Sequence, residues 1–122
     1  MNPTETSIEG RWQLLRAEQA GEAAPELVVR RTTLSLVAGK YAIWFAGEEM
    51  DSGTFETGGL AGALTLLLRG LRGPNAGRTI PCIYQLRGDR LRICYGFNGT
   101  APTDFATAAN DQRYLATYQR VG

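Results

Sequence analysis

Apolar and polar residues alternate most regularly between Arg78 and Gly96, where two runs rich in β-branched and aromatic residues flank Gly88-Asp89. Such runs on either side of a Gly-Asp turn predict a β-hairpin. With the turn centred there, Leu86 faces Leu91, Tyr84 faces Ile93 and Cys82 faces Tyr95. These side chains share one apolar, aromatic face, because successive residues of a strand point to opposite sides of the sheet. The other face carries Ile83, Gln85, Arg87, Arg90, Arg92 and Cys94 and is largely wet.

The rest of the chain repeats this pattern less cleanly. Residues 1–9 read as a flexible tail, and residues 10–122 as a single domain. Gly10 to Glu18 predicts a first strand with Trp12 and Leu14 on one face, although Leu15 and Ala17 then fall on the other. Gly21 to Pro25 breaks it. Strands are expected over Leu27 to Val37 and Tyr41 to Ala46, joined by Ala38-Gly39-Lys40, and again over Gly53 to Thr57. Leucine and alanine in Ala63 to Arg69 favour helix. The surrounding glycines, from Gly58 to Gly73, leave so little room for one that a strand is expected instead. Gly70 to Gly77 is a loop, Phe97 to Asp111 is irregular, and Gln112 to Arg120 is the last strand, with Tyr114, Ala116 and Tyr118 on one face. About eight strands with no obvious helix predict an all-β, antiparallel up-and-down barrel, whose closure leaves no open edges.

Hydrophobic residues make up 43% of 122 residues, enough for one domain to fold without metals or crosslinks. The net charge of +1 removes any global argument for nucleic acid or an anionic membrane as partner. No histidine is present, which excludes His-based triads and imidazole acid–base chemistry, and no cofactor or metal is expected. In the hairpin register Cys82 and Cys94 point to opposite faces, whereas a disulfide needs Cβ atoms about 4 Å apart. Free thiols and a reducing, cytoplasmic setting follow. The N-terminus lacks the basic and apolar regions of a signal peptide, and the longest apolar run, around Leu60 to Leu68, is too short to span a bilayer.

Several short motifs then fall in order: Gly10-Arg11-Trp12, Gly53-Thr54-Phe55, Gly77-Arg78-Thr79, Ile83-Tyr84, Gly88 to Cys94 and Pro102-Thr103-Asp104-Phe105. Together they resemble a family of small bacterial lipocalin-like (calycin-type) domains, over nearly the whole span from Gly10 to Arg120. The chain departs from that pattern at Ala101, where the family usually has arginine, and in the glycine-rich Gly58 to Ala63 stretch. The resemblance implies a lipocalin-like barrel and no particular reaction. It also implies that an arginine near the C-terminus packs across Trp12, Arg120 first and Arg113 second. Such a cation–π contact is worth ~0.5–2 kcal/mol.

The candidate ligand-binding residues are the inward positions Tyr41, Ile43, Phe45, Phe55, Leu66, Tyr84, Leu91, Ile93 and Tyr95. Phe97 and Phe105, on the long loop, are expected to gate the rim. An eight-stranded barrel is either filled by its side chains or wide enough for one small ligand. Buried tyrosine hydroxyls need partners, which a partly solvated pocket provides more easily. The acidic residues Glu18, Glu48, Glu49, Asp51, Glu56, Asp89 and Asp104 show no spacing that argues for a catalytic pair; Glu48 and Glu49 are read as turn residues and Asp104 as a tie for the long loop. Cys94 is read as a small residue packed outside the sheet rather than as a nucleophile.

Three functions compete. The first is a small-molecule-binding barrel holding a mostly apolar or aromatic ligand. The second is a metal-free cyclase or isomerase of bacterial secondary metabolism working in the same cavity, with Tyr41, Tyr84 and Tyr95 as donors or weak acids. The third is a protein-interaction or homodimer domain anchored by Trp44, which lies opposite Tyr41, Ile43 and Phe45.

Overall fold

One dipeptide turns this chain back on itself three times. Ala20-Gly21, Ala38-Gly39 and Ala46-Gly47 all adopt positive φ at both residues, between 53° and 85°. Such pairs form the two-residue turns whose twist matches that of flanking antiparallel strands. A computed structural model describes residues 7–60 and 63–122, with strands β1 (Gly10–Gln19), β2 (Glu22–Ala23), β3 (Thr32–Val37), β4 (Lys40–Phe45) and β5 (Glu48–Leu60) around these turns. They are followed by β6 (Ala63–Arg72), β7 (Thr79–Arg87), β8 (Arg90–Gly96) and β9 (Arg113–Arg120). From β3 onwards each strand pairs antiparallel with the next, β1 pairs with β3, and β9 returns to β1. The result is a closed, antiparallel, up-and-down barrel of eight strands, with the two-residue β2 attached to β1 alone.

The central hairpin has the expected register: Cys82 opposite Tyr95, Tyr84 opposite Ile93 and Leu86 opposite Leu91. Both cysteines are free and buried. The irregular alternation of the first strand has a local cause. A bulge between Leu14 and Arg16 inserts one residue, so Trp12, Leu14 and Ala17 all face the core while Leu15 is 41% exposed.

Several expectations need correction. The stretch from Leu27 is not all strand, because Glu26–Arg31 forms a short helix, α1, before β3 begins. The β-branched Val28 and Val29 favour strand by type, but only Val29 is buried. The helix depends instead on a tertiary contact. The side-chain amide of Gln13 lies 3.1–3.2 Å from the carbonyls of Val29, Arg30 and Thr32, groups a helix C-terminus leaves unpaired. Glu48 and Glu49 are strand residues of β5, since Ala46-Gly47 makes the turn before them. The strands expected around Gly53 and Leu66 also extend further, into the long β5–β6 pair; the tip at 61–62 lies outside the described residues.

Residues 1–6 of the expected tail lie outside the described residues too, but the tail does not extend to Glu9. Ile8 is 3% exposed and its carbonyl accepts the Trp12 indole N–H at 2.9 Å. The Arg120 guanidinium lies 4.4 Å from the centre of the Trp12 ring. It also donates to the carbonyls of Glu9 (2.6 Å) and Ser7 (2.8 Å), and lies 3.3 Å from the Asp89 carboxylate of the β7–β8 turn. Gly10, at φ 137°, makes this possible: a Cβ there would come within 2.9 Å of Arg120 Nη1.

Replacing Arg120 by Met is expected to cost about 2–4 kcal/mol, from the cation–π contact and the charged hydrogen bonds together. A urea midpoint unchanged from wild type would refute this assignment. Conversely, Ala38→Asn and Ala46→Asn are each expected to stabilise by ~0.5–1 kcal/mol, because asparagine tolerates the left-handed conformation better than alanine. The check is a raised urea midpoint at constant slope.

Candidate functional site

The barrel interior is built from alternate residues of every long strand. Trp12, Leu14, Leu34, Leu36, Leu68, Ile80, Leu91 and Ile93 are buried and form its apolar body. Besides Ala24, six apolar or aromatic side chains pack against this body yet stay only partly buried. They are Ile43, Phe55, Tyr84, Leu86, Phe97 and Tyr114. These six side chains keep partial contact with solvent.

Polar groups are few, and most of their bonds are to one another. Tyr95 and Tyr118 share a hydrogen bond at 2.7 Å between their hydroxyls. Two hydroxyls carry two protons and use one between them, which leaves one phenolic O–H to donate elsewhere. On the far wall, Asp51 is 6% exposed and accepts hydrogen bonds from Asn75 at 2.7 Å and from the Tyr41 hydroxyl at 3.4 Å, both on Oδ2. Its Oδ1 is buried without a partner among the described residues. Gly53, directly across from Tyr41, keeps this corner compact: a Cβ would lie 2.9 Å from the Tyr41 ring and 1.9 Å from the Arg69 carbonyl.

Burial raises the pKa of every tyrosine in the protein. For Tyr41 the Asp51 carboxyl adds to the effect of burial, and for Tyr95 the neighbouring Tyr118 does. Burial also pushes the Cys82 thiol up. The interior therefore holds protonated phenols and a protonated thiol at neutral pH, which are hydrogen-bonding groups rather than bases or nucleophiles.

Most of the expected site residues do come together. Tyr41, Ile43, Phe55, Leu66, Tyr84, Leu91, Ile93, Tyr95 and Phe97 all contribute to the interior. Phe97 stacks on Tyr95 with ring centres 5.6 Å apart, its carbonyl accepts a hydrogen bond from Arg78, and both rings tilt against Tyr114. Phe45 is partly buried at the end of β4 and is not part of this packed set.

Phe105 does not gate the rim. Its ring lies 4.1 Å from the Arg92 guanidinium on the outer face of β8, because the 97–112 segment drapes over the outside of the barrel. That drape changes the setting of Cys94, which is fully buried on what reads as a wet face. Its thiol pKa is raised by burial, with Arg113 pulling the other way. Asp104 does tie the segment down, through an ion pair with Arg113 at 2.7 Å.

Asp51, Leu86, Tyr114 and Tyr118 join the interior beyond the residues expected there. The signal was present for all of them. Alternation back from Phe55 through Gly53 reaches Asp51, and the face containing Ala116 contains both tyrosines.

The outer wall has its own concavity, a groove of about 600 Å³ beside Arg11, Thr33, Ser35, Val37, Trp44 and Val121. Trp44 faces outward, as its alternation with Tyr41 and Ile43 predicts. No protein-family model, curated protein or solved structure matches the chain.

The buried phenols make an alkaline prediction. A phenolate is better solvated in the unfolded chain, so each raised pKa contributes stability that is complete below about pH 10 and is lost as pH rises through the folded value. Tyrosinate absorbance is expected to appear together with loss of near-ultraviolet circular dichroism, in one transition above about pH 10. Free titration of the tyrosines with the fold intact would contradict the described burial.

Proposed function

We propose that the protein is a small-molecule-binding barrel that holds one mostly apolar molecule in its interior, in the manner of the lipocalin-like domains its motifs resemble. The observation that carries this reading is the set of inward-facing but partly exposed side chains: Ile43, Phe55, Tyr84, Leu86, Phe97 and Tyr114. A barrel of eight strands has room for either its own side chains or one small guest. A guest covering these groups gains the burial they lack, at about 25 cal/mol per Å² of apolar surface removed from water.

The polar groups suit recognition rather than covalent chemistry. A ligand with one or two oxygen atoms finds the spare phenolic proton of the Tyr95–Tyr118 pair, and the hydroxyls of Tyr41 and Tyr84 orient it further. Uncharged phenols give direction at little desolvation cost compared with ions.

Titration with the neutral apolar fluorophore N-phenylnaphthylamine tests the reading. Saturable binding to the wild-type protein is expected. Filling variants Ile43→Trp and Leu86→Trp are expected to weaken it at least about tenfold, the equivalent of 1.4 kcal/mol. Trp44→Ala, on the outer wall, is expected to bind as wild type. Absence of saturable binding, or binding indifferent to both filling variants, would remove the proposal.

A further inference from the structure

The groove on the outer wall arises from a mismatch in side-chain length. In the ladder of β1, β3 and β4, Ser35 lies directly across from Arg11, and Thr33 directly across from Trp44. The middle strand thus presents short hydroxyl side chains between two of the longest side chains in the protein. Val37, 51% exposed, and Val121, 60% exposed, extend the apolar margin. At about 600 Å³ the space is of the size that small-molecule sites use.

Arg11 is the one charged side chain among those lining it. Among the described residues, the ion pairs engage Arg30, Arg113 and Arg120 but not Arg11. A guanidinium presents a planar fork of donors that fits an oxyanion through two parallel hydrogen bonds. The indole of Trp44 offers a flat apolar surface next to it.

We infer that this groove is a second binding site, separate from the barrel interior, for a small molecule with a flat apolar body and one oxyanion group. Trp44, Val37 and Val121 cover the body, Arg11 pairs with the anion, and Thr33 and Ser35 supply hydroxyls between them. A carboxylate, a sulfonate and a phosphate monoester share this chemistry. The site stands on the outer wall alone and does not depend on the interior being occupied.

Proton–nitrogen correlation spectra, with anilinonaphthalene sulfonate as probe, test it directly. The chain has two tryptophans and hence two indole N–H signals. That of Trp12 is buried and hydrogen-bonded to the Ile8 carbonyl, which makes it an internal reference. The expected result is a saturable shift of the Trp44 indole and of the Thr33 and Ser35 amides, with the Trp12 indole unmoved. Arg11→Gln is expected to weaken the apparent affinity about fivefold, the scale of one exposed charge pair. The uncharged N-phenylnaphthylamine is expected to leave Trp44 in place. A Trp44 signal that does not move, shifts confined to Phe55, Tyr84 and Leu86, or unchanged affinity in Arg11→Gln would each overturn the site. Of these, shifts confined to the interior would leave the interior proposal standing.

Discussion

Where the β1–β9 ladder closes the barrel, one side chain near the end of the chain meets one near its start. Arg120 lies over the Trp12 ring, and its remaining donors hold the carbonyls of Ser7 and Glu9 and reach the Asp89 carboxylate. The same guanidinium therefore joins the β1–β9 seam, the N-terminal approach and the β7–β8 turn. Bringing such distant segments together carries a loop-closure entropy that local turns do not. Arginine suits the task because its planar cation stacks on an aromatic face while its edge still donates hydrogen bonds. A lysine would supply the charge without the flat contact.

The two walls of the barrel solve different problems. Inside, polarity is scarce and concentrated in the Tyr95–Tyr118 pair and the Tyr41–Asp51–Asn75 corner. An unpaired polar group is costly in such surroundings, and hydrogen bonds between these neighbours offset that cost. Outside, the 97–112 segment covers Cys94 and anchors itself through Phe105 on Arg92 and Asp104 on Arg113. That covering buries Cys94 on the outer surface. Among the described residues the wall formed by β1, β3 and β4 has no such cover, and there the short side chains of β3 leave a groove.

Much of this was legible in the residues. The hairpin register around Gly88-Asp89 followed from alternation alone, and with it the separation of Cys82 from Cys94. The outward direction of Trp44 followed in the same way. Where reading by alternation failed, a local irregularity or a distant contact had intervened. The bulge at Leu15 shifted the phase of β1, and the Gln13 amide supported a helix in a stretch whose residue types favour strand. Phe105 looked like a rim residue because it follows a strand end; the path of its loop, set by Arg92 and Arg113, carries it to the other side of the wall.

The sequence by itself determined the class of fold, the facing of most side chains and the absence of imidazole chemistry, because these depend on residue type and on a period of two. Tertiary structure alone decided that Asp51 and Tyr41 meet and that Cys94 is covered. It also decided that a groove lies between Arg11 and Trp44. Each of these is a relation between segments far apart in the chain. Their meeting is fixed by ladder register and loop path, which no local pattern encodes.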